Sequence, residues 1–344
     1  MVESERAFIF THDGVNKFFA DHNCELVDGR SVVDYYLSKN TRIRKESNAY
    51  PPTFTMTTKS GSKGAGIRTE NESNIDAGIA DLLKGEVKLV VDKRRYRVNG
   101  IDVVSRGLPP YNIVVDFINQ PIKVAILEIE QTDSIEVIPQ NIAQIIFNEY
   151  LQECPLSIWE YCHRKIGICG APSSGKTTMA HEITQRMNAE FKANAFHAAE
   201  YATSFIQKYN RTPTFYDQFI VWHGQHKRER DAKNNFIISD CPTFLTYIYL
   251  PFLYKKEFND CDAMWFAKMY KNALLDISSY GDIILLAMKE YSDNGIRYQT
   301  ENEALEIERK IRSFLNDHNI RFITADMNDA SHVLRSVLYL NRYE

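Results

Sequence analysis

No run in this 344-residue sequence has the length and apolarity of a membrane span, and no N-terminal stretch has the apolar core of a secretory signal. The six cysteines are scattered without a C-x-x-C pair, and the nine histidines show no zinc-ligand spacing with them. Reduced thiols fit this better than a disulfide frame or a zinc site. These absences set the expectation of a soluble, cytoplasmic protein with no membrane partner. A global basic footprint for nucleic acid is missing, since the net charge is −4. A local basic surface stays compatible with that count. Low-complexity tracts and Gly/Ser-rich linkers are also missing, which predicts domains packed together rather than loosely tethered. No base-specifying N-K-x-D pattern stands in its usual place, so ATP and GTP are not distinguished. Oligomeric state leaves no mark in the sequence.

What is present is an ordinary globular composition, 44% hydrophobic and 25% charged, enough for sizeable cores. The length suggests two domains. The chain is organised around Lys165-Ile-Gly-Ile-Cys-Gly170-Ala-Pro-Ser173-Ser174-Gly175-Lys176-Thr177-Thr178. An apolar run reads as a short buried strand, G-x-x-x-x-G-K-T follows, and a helical pattern begins near Thr177. This is a P-loop in its required strand–loop–helix context. Backbone N–H groups of Gly170, Ser173, Ser174, Gly175, Lys176, Thr177 and Thr178 would make an anion nest at a helix N-terminus. Lys176 would reach the β- and γ-phosphates of ATP, and the Thr177 hydroxyl would ligate Mg²⁺.

The half before residue 158 reads as β-rich. Segments with strand propensity recur at 6–11, 24–27, 31–37, 42–45, 53–59, 66–72, 88–98, 111–118 and 122–130, with helices expected at 14–21, 74–83 and 139–152. Charges two apart share a strand face. Glu3 and Glu5 form such a pair, as do Arg42 and Arg44, Glu70 and Glu72, and Glu128 and Glu130. Arg68 shares a face with Glu70; Lys93, Arg95 and Arg97 share another; Lys59 follows Thr55 and Thr57; Asp116 lies within an apolar strand. Either these rows face water, or the sheet closes into a barrel and they converge on one lumen. In a lumen, carboxylates hold a divalent metal and cations hold polyphosphate oxygens.

The motifs Glu3-Ser-Glu5-Arg6-Ala7, Thr41-Arg42-Ile-Arg44, Thr57-Thr-Lys59, Arg68-Thr-Glu70-Asn-Glu72, Lys93-Arg-Arg95, Val115-Asp116-Phe117 and Glu128-Ile-Glu130 together resemble the CYTH superfamily, the triphosphate tunnel metalloenzymes. The resemblance spans nearly the whole half. It implies an eight-stranded antiparallel barrel that processes triphosphate compounds with Mg²⁺ or Mn²⁺. Glu3, Glu5, Glu128 and Glu130 would be metal ligands, and Arg42, Arg44, Lys59, Arg68, Lys93 and Arg95 would bind phosphates. The family's E-x-E-x-K opening has Ala7 in place of its lysine, which leaves a binding-only tunnel open beside a triphosphatase.

From residue 158 onward strands alternate with helices, implying an α/β domain with a mostly parallel sheet and ligands at the strands' carboxyl ends. Helices are expected at 177–187, 200–209, 213–231, 301–317 and 330–340, and strands at 191–196, 236–240, 282–287 and 320–323. Phe236-Ile-Ile-Ser-Asp240 ends a buried strand in an acid, the Walker B pattern, which makes Asp240 the candidate base or metal-shell acid. Arg297, just after a buried strand, and Arg309 are candidates for a lid over the migrating phosphoryl group. Gly170–Thr177, Glu200-Tyr-Ala202, Tyr216-Asp217, Ile238-Ser-Asp240 and Asn294-Gly-Ile-Arg297 resemble the ribosylnicotinamide kinase domain of the bacterial NAD-biosynthesis regulator and the wider AAA_28 group. That resemblance makes Glu200 and Asp217 ligands of a substrate hydroxyl or ribose. Thr203 stands where relatives often carry arginine.

The division expected is therefore a tunnel domain over 1–157 and a P-loop domain over 158–344. The function expected is a bifunctional phosphate-handling enzyme. A kinase would use a nucleoside triphosphate to phosphorylate a nucleoside, a nucleotide or a nucleic-acid end, and a metal-dependent tunnel would bind or hydrolyse a triphosphate. The alternative is a nucleotide-regulated binding protein whose tunnel senses a polyphosphorylated ligand.

Overall fold

The computed structural model describes residues 2–48, 51–61, 68–101, 108–132, 136–254, 259–288 and 300–341. The chain divides into two compact units. One holds Met1–His163 with Glu190–Ala193 and the residues from Val337; the other holds Arg164–Ala189 and Asn194–Ser336.

In the first unit the alternation of apolar and charged residues builds a closed antiparallel barrel. Its strands are β1 (Val2–Phe10), β2 (Glu25–Ser38), β3 (Thr41–Glu46), β4 (Thr53–Ser60), β5 (Arg68–Asn74), β6 (Leu89–Asn99), β7 (Asn112–Gln120) and β8 (Val124–Thr132). They run around the barrel in the order β1-β5-β4-β3-β2-β6-β7-β8, and β8 pairs back onto β1 with Glu5 opposite Glu130 and Ala7 opposite Glu128. The two segments expected at 24–27 and 31–37 form one long strand, β2, with a register shift between Val27 and Arg30.

Period-2 alternation sends alternate residues to opposite faces. The outward Phe8, Phe10 and Leu127 pack on α1 (His12–Asp21) and α3 (Ile142–Phe147), whose Val15, Phe18, Ile142 and Ile146 complete a buried core; the short α2 (Ala77–Leu82) follows β5, within the expected 74–83. Thr11 caps α1 by accepting the Gly14 N–H at 2.9 Å. Helix α3 stops well short of the expected 139–152, because Asn148 turns left-handed at φ 58° and bonds its N–H to Gln144. The guanidinium of Arg6 holds the chain beyond β8 on the outer wall, through Glu153 at 3.0 Å and the Ile138 carbonyl at 2.8 Å.

In the second unit the strands are β9 (Arg164–Gly170), β10 (Ala195–Ala198), β11 (Phe236–Ser239), β12 (Tyr280–Leu286) and β13 (Ile323–Ala325). They form one parallel sheet in the order β10-β11-β9-β12-β13. Between them run α5 (Lys176–Glu190), α6 (Tyr201–Tyr209), α7 (Gln218–Asp231), α8 (Leu245–Leu253), α9 (Asp260–Ile277), α10 (Glu301–Asp317) and α11 (Ala330–Val337), after the short α4 (Ile158–Cys162) of the first unit. Strand β10 begins later than the expected 191–196, since the Asn188 side chain brackets both backbone groups of Ala195. Strand β13 begins later than the expected 320–323, because the Ile320 N–H closes α10 on Leu315. Helix α7 starts at Gln218 rather than 213. Among the described residues no helix is long and apolar enough to cross a membrane.

Candidate active sites

The barrel's inward positions are the charged rows of the sequence. Arg44 forks onto Asp34 at 2.8 and 3.0 Å, and Arg42 lies 3.7 Å from the same carboxylate. Lys93, fully buried, lies 3.3 Å from Asp34 and 2.6 Å from Asp116. Arg95 forks onto Asp116 at 2.7 Å and reaches Glu128 at 2.5 Å. Lys59 bridges Glu3 and Glu70, each at 3.1 Å, while Arg68 donates to Glu3 at 3.1 Å and to Glu5. The six cations, with Glu3, Glu5, Glu70 and Glu128, border a cavity of ≈430 Å³, while Asp34 and Asp116 lie buried behind them. Along β1 the inward row passes from Glu3 and Glu5 to Ala7 and Ile9, and along β8 from Glu130 and Glu128 to Ile126 and Val124; the aliphatic positions are all buried. The tunnel is thus charged toward one end and apolar toward the other.

Burial raises the cost of every charge here, and the pairing decides which ones persist. Burial pushes the Asp34 carboxyl up, but Arg44, Lys93 and Arg42 outweigh it and hold it well below the usual carboxylate range. Asp116 is lowered in the same way by Arg95 and Lys93. Glu130 goes the other way. Burial, opposed by Arg95 and reinforced by Glu128, Glu5 and Glu3, pushes it up to about 7. Ligand oxygens of Glu3, Glu5 and Glu130 lie within 4.8 Å of one another. A cluster of hard oxygen donors with mutually repelling charges suits a divalent cation such as Mg²⁺ or Mn²⁺.

All six expected phosphate-binding cations and the four expected carboxylates therefore border one cavity. Asp34 went unnoticed in the sequence. Its signal is the β-strand alternation Val32-Val-Asp34-Tyr-Tyr36, in which an acid occupies a row otherwise suited to a core.

In the second unit the P-loop connects β9 to α5. Gly170 has φ +154° and approaches so closely that a Cβ there would meet the Leu286 carbonyl at 2.7 Å; Gly175 has φ +85°. Only glycine fits such positions without strain. The Lys176 ammonium folds onto the carbonyls of Gly170 at 3.1 Å and Ala171 at 2.8 Å. The Ser174 hydroxyl is buried without a hydrogen-bond partner among the described residues, while Ser173 is partly exposed and Thr177 and Thr178 lie exposed in the first turn of α5. A loop with an unfilled buried donor and a lysine returned to its own carbonyls is built for an anion to draw both away.

Strand β11 pairs directly with β9, Ser239 opposite Gly167, so Asp240 emerges beside the P-loop. Asp240 is almost fully buried, its oxygens make no hydrogen bond among the described residues, and His197 Nε2 stands 3.1 Å away. His197, at the end of β10, is a site residue the sequence reading missed; a lone histidine in a short strand gives little signal. Glu200 sits at the N-terminus of α6, accepting from Thr203 at 3.2 Å, with buried Cys241 beside it. Asp217 is engaged by its own loop, accepting from Arg211 at 2.6 and 3.1 Å and from the Thr214 N–H and hydroxyl at 2.8 and 2.6 Å. Arg309 is exposed on α10. Arg297 lies outside the described residues. From α10 it is Glu308 that reaches the end of β12, accepting the Met288 N–H at 2.9 Å.

The AAA_28 family model, an AAA domain, matches residues 165–331. No curated protein matches the chain. Among solved structures, the conserved hypothetical protein Pfu-838710-001 from Pyrococcus furiosus is similar at 17% identity, covering 42% of this chain and 86% of its own, with a TM-score of 0.30. The NadR protein in complex with NAD and AMP-PNP is similar at 14% identity, covering 53% of this chain and 51% of its own, with a TM-score of 0.42. A putative adenylyl cyclase from Hippeastrum, described as having a dominant triphosphatase activity, is similar at 13% identity over 38% of this chain and 80% of its own, with a TM-score of 0.24. Likeness at this level assigns none of these proteins' activities to this chain.

Proposed function

We propose that this chain is an enzyme with two phosphate sites: an ATP-dependent kinase in the P-loop unit and a metal-dependent triphosphate site in the barrel. The observation that carries the kinase is Asp240, a buried carboxylate with no hydrogen bond among the described residues, delivered beside the P-loop by a strand adjacent to β9. Among the described residues no strand intervenes to supply a water-activating acid. A buried acid beside the phosphates, with His197 next to it, suits proton removal from a bound hydroxyl.

In this reading the loop N–H groups and Lys176 would hold the β- and γ-phosphates, and the Thr177 hydroxyl would hold the Mg²⁺ that accompanies ATP and neutralises phosphate charge. The acceptor oxygen bonds to the γ-phosphorus as the bond to the β–γ bridging oxygen breaks. Asp240 takes the hydroxyl proton, backed by His197, and ADP leaves. Glu200 is the candidate contact for the acceptor, which is a nucleoside, a nucleotide or a nucleic-acid end. Arg297 and Arg309 remain candidates for covering the migrating group.

In the barrel Glu3, Glu5 and Glu130, with Glu128 beside them, would hold the divalent cation, and the cation supplies charge neutralisation of the phosphates. Lys59, Arg68, Arg42, Arg44 and Arg95 would exchange their carboxylate partners for phosphate oxygens. Ala7 favours the second reading, a tunnel that binds without turnover, because Glu128 opposite it is met by Arg95 instead of a neighbouring lysine.

The test of the kinase is label transfer from γ-labelled ATP, with Mg²⁺, to nucleosides, nucleotides and 5′-hydroxyl oligonucleotides. Transfer by wild type, lost in both Lys176→Ala and Asp240→Asn, is the expected result. Free phosphate alone from every acceptor would overturn the kinase reading.

A further inference from the structure

The charged tunnel has an aromatic and aliphatic collar that its phosphate chemistry does not use. The ≈430 Å³ cavity is bordered by the tunnel cations and carboxylates and also by the turn after β2 and by residues 155–160, which lead into α4. A capping box fixes this second segment: Ser157 Oγ accepts the Glu160 N–H at 3.3 Å, and Glu160 accepts the Ser157 N–H at 3.0 Å. Lys39, from the β2–β3 turn, then ties Glu160 down at 2.5 Å. The anchored segment presents Leu156, Ile158 and Trp159 to the cavity. The Trp159 ring is partly exposed and sits 6.1 Å from the ring of Tyr36, whose strand carries Asp34 deeper in the tunnel.

A ligand made only of phosphates gains nothing from such a collar. A planar ring attached to a triphosphate gains stacking on Trp159 while its phosphates occupy the charged rows. The cavity volume falls in the range of ~300–1,000 Å³ typical of sites for ligands larger than a simple anion. Aromatic rings stack on any base, so the contact favours the class rather than one base. The geometry points to Trp159 as a base-stacking residue that makes the tunnel selective for 5′-triphosphorylated nucleosides over inorganic polyphosphate. This deepens the triphosphate reading of the barrel and rests on it. The shared chemistry comes from two sources, a free nucleotide and the 5′ end of an RNA.

The experiment uses the full chain carrying Lys176→Ala, which silences transfer at the P-loop, and follows phosphate release with Mn²⁺ or Mg²⁺. Substrates are tripolyphosphate, ATP, GTP and a 5′-triphosphorylated oligoribonucleotide. Adding Trp159→Ala is expected to raise the KM for the nucleotide-bearing substrates about tenfold and leave tripolyphosphate within twofold. Trp159→Phe should restore most of the loss, which separates stacking from damage to α4. Preference for ATP and GTP or for the oligoribonucleotide identifies the source. Equal effects of Trp159→Ala on tripolyphosphate and nucleotides, or none on either, would overturn the stacking role while leaving the tunnel site standing. If no substrate releases phosphate, the same four are tested for metal-dependent displacement of labelled tripolyphosphate. Absence of both release and binding would overturn the tunnel reading and the stacking role together.

Discussion

Lys93 and Asp116 meet at 2.6 Å with both side chains fully buried inside the barrel. Asp34 stands on the other side of the ammonium at 3.3 Å. A buried charge of this kind is held by its partners rather than by water. Removing one partner leaves the others uncompensated, at a cost of ~3–5 kcal/mol. Lys93→Ala is therefore expected to lower the unfolding free energy of the barrel unit by about that amount, measured by urea denaturation. Lys93→Ala combined with Asp116→Ala should cost less than the two single changes added, as expected for coupled groups.

The acid limb of stability follows from Asp34 and Asp116. Both are held below their unfolded value, ~3.9 for aspartate, after their cationic partners outweigh burial. A depressed carboxyl contributes stability that is present above the unfolded value and is lost as pH falls through the folded one. Through these two groups the barrel is expected to lose thermal stability once pH falls below about 4. Asp34→Asn should lower stability at neutral pH and flatten that drop.

Much of this architecture is legible in the sequence. Inward rows such as Glu128 and Glu130 read directly because a strand has period 2, and the P-loop reads because phosphate binding fixes its spacing. Helices α8 and α9 did not. Leu245–Leu253 is apolar along its length, so burial leaves no helical stripe, and Pro251 lies inside it. Helix α9 is announced only by the capping box of Asn259 and Asp262. Side-chain partners were the other blind spot. Nothing in the string shows that Asp217 is taken up by Arg211 and Thr214, or that His197 stands next to Asp240.

The carboxylate cluster makes a metal prediction with no need for turnover. A ligand that binds the folded state alone raises its stability by mass action. Mn²⁺ at a hundredfold excess over its Kd should stabilise the wild-type barrel by ~2.7 kcal/mol, read as a rise in Tm. Glu5→Gln with Glu130→Gln should abolish the rise, and chelation should reverse it in wild type.

At the P-loop, Gly175 has φ +85°, and a Cβ there would meet Met327 Cβ at 2.7 Å. Gly175→Ala strains the loop by ~1–3 kcal/mol, the usual range for a forced left-handed residue. The expected outcome is a higher KM for ATP in the transfer assay with an unchanged circular-dichroism spectrum, since β9 and α5 are set by their own packing.

The separateness of the two sites is tested most directly by one crossed measurement. Wild type, Lys176→Ala and Glu5→Gln/Glu130→Gln are given γ-labelled ATP with an acceptor panel and, separately, tripolyphosphate with Mn²⁺. The expected result is that Lys176→Ala loses label transfer and keeps tunnel binding or turnover of tripolyphosphate, while the glutamate pair does the reverse. Loss of both activities in either variant, with the fold intact by circular dichroism, would contradict two independent phosphate sites.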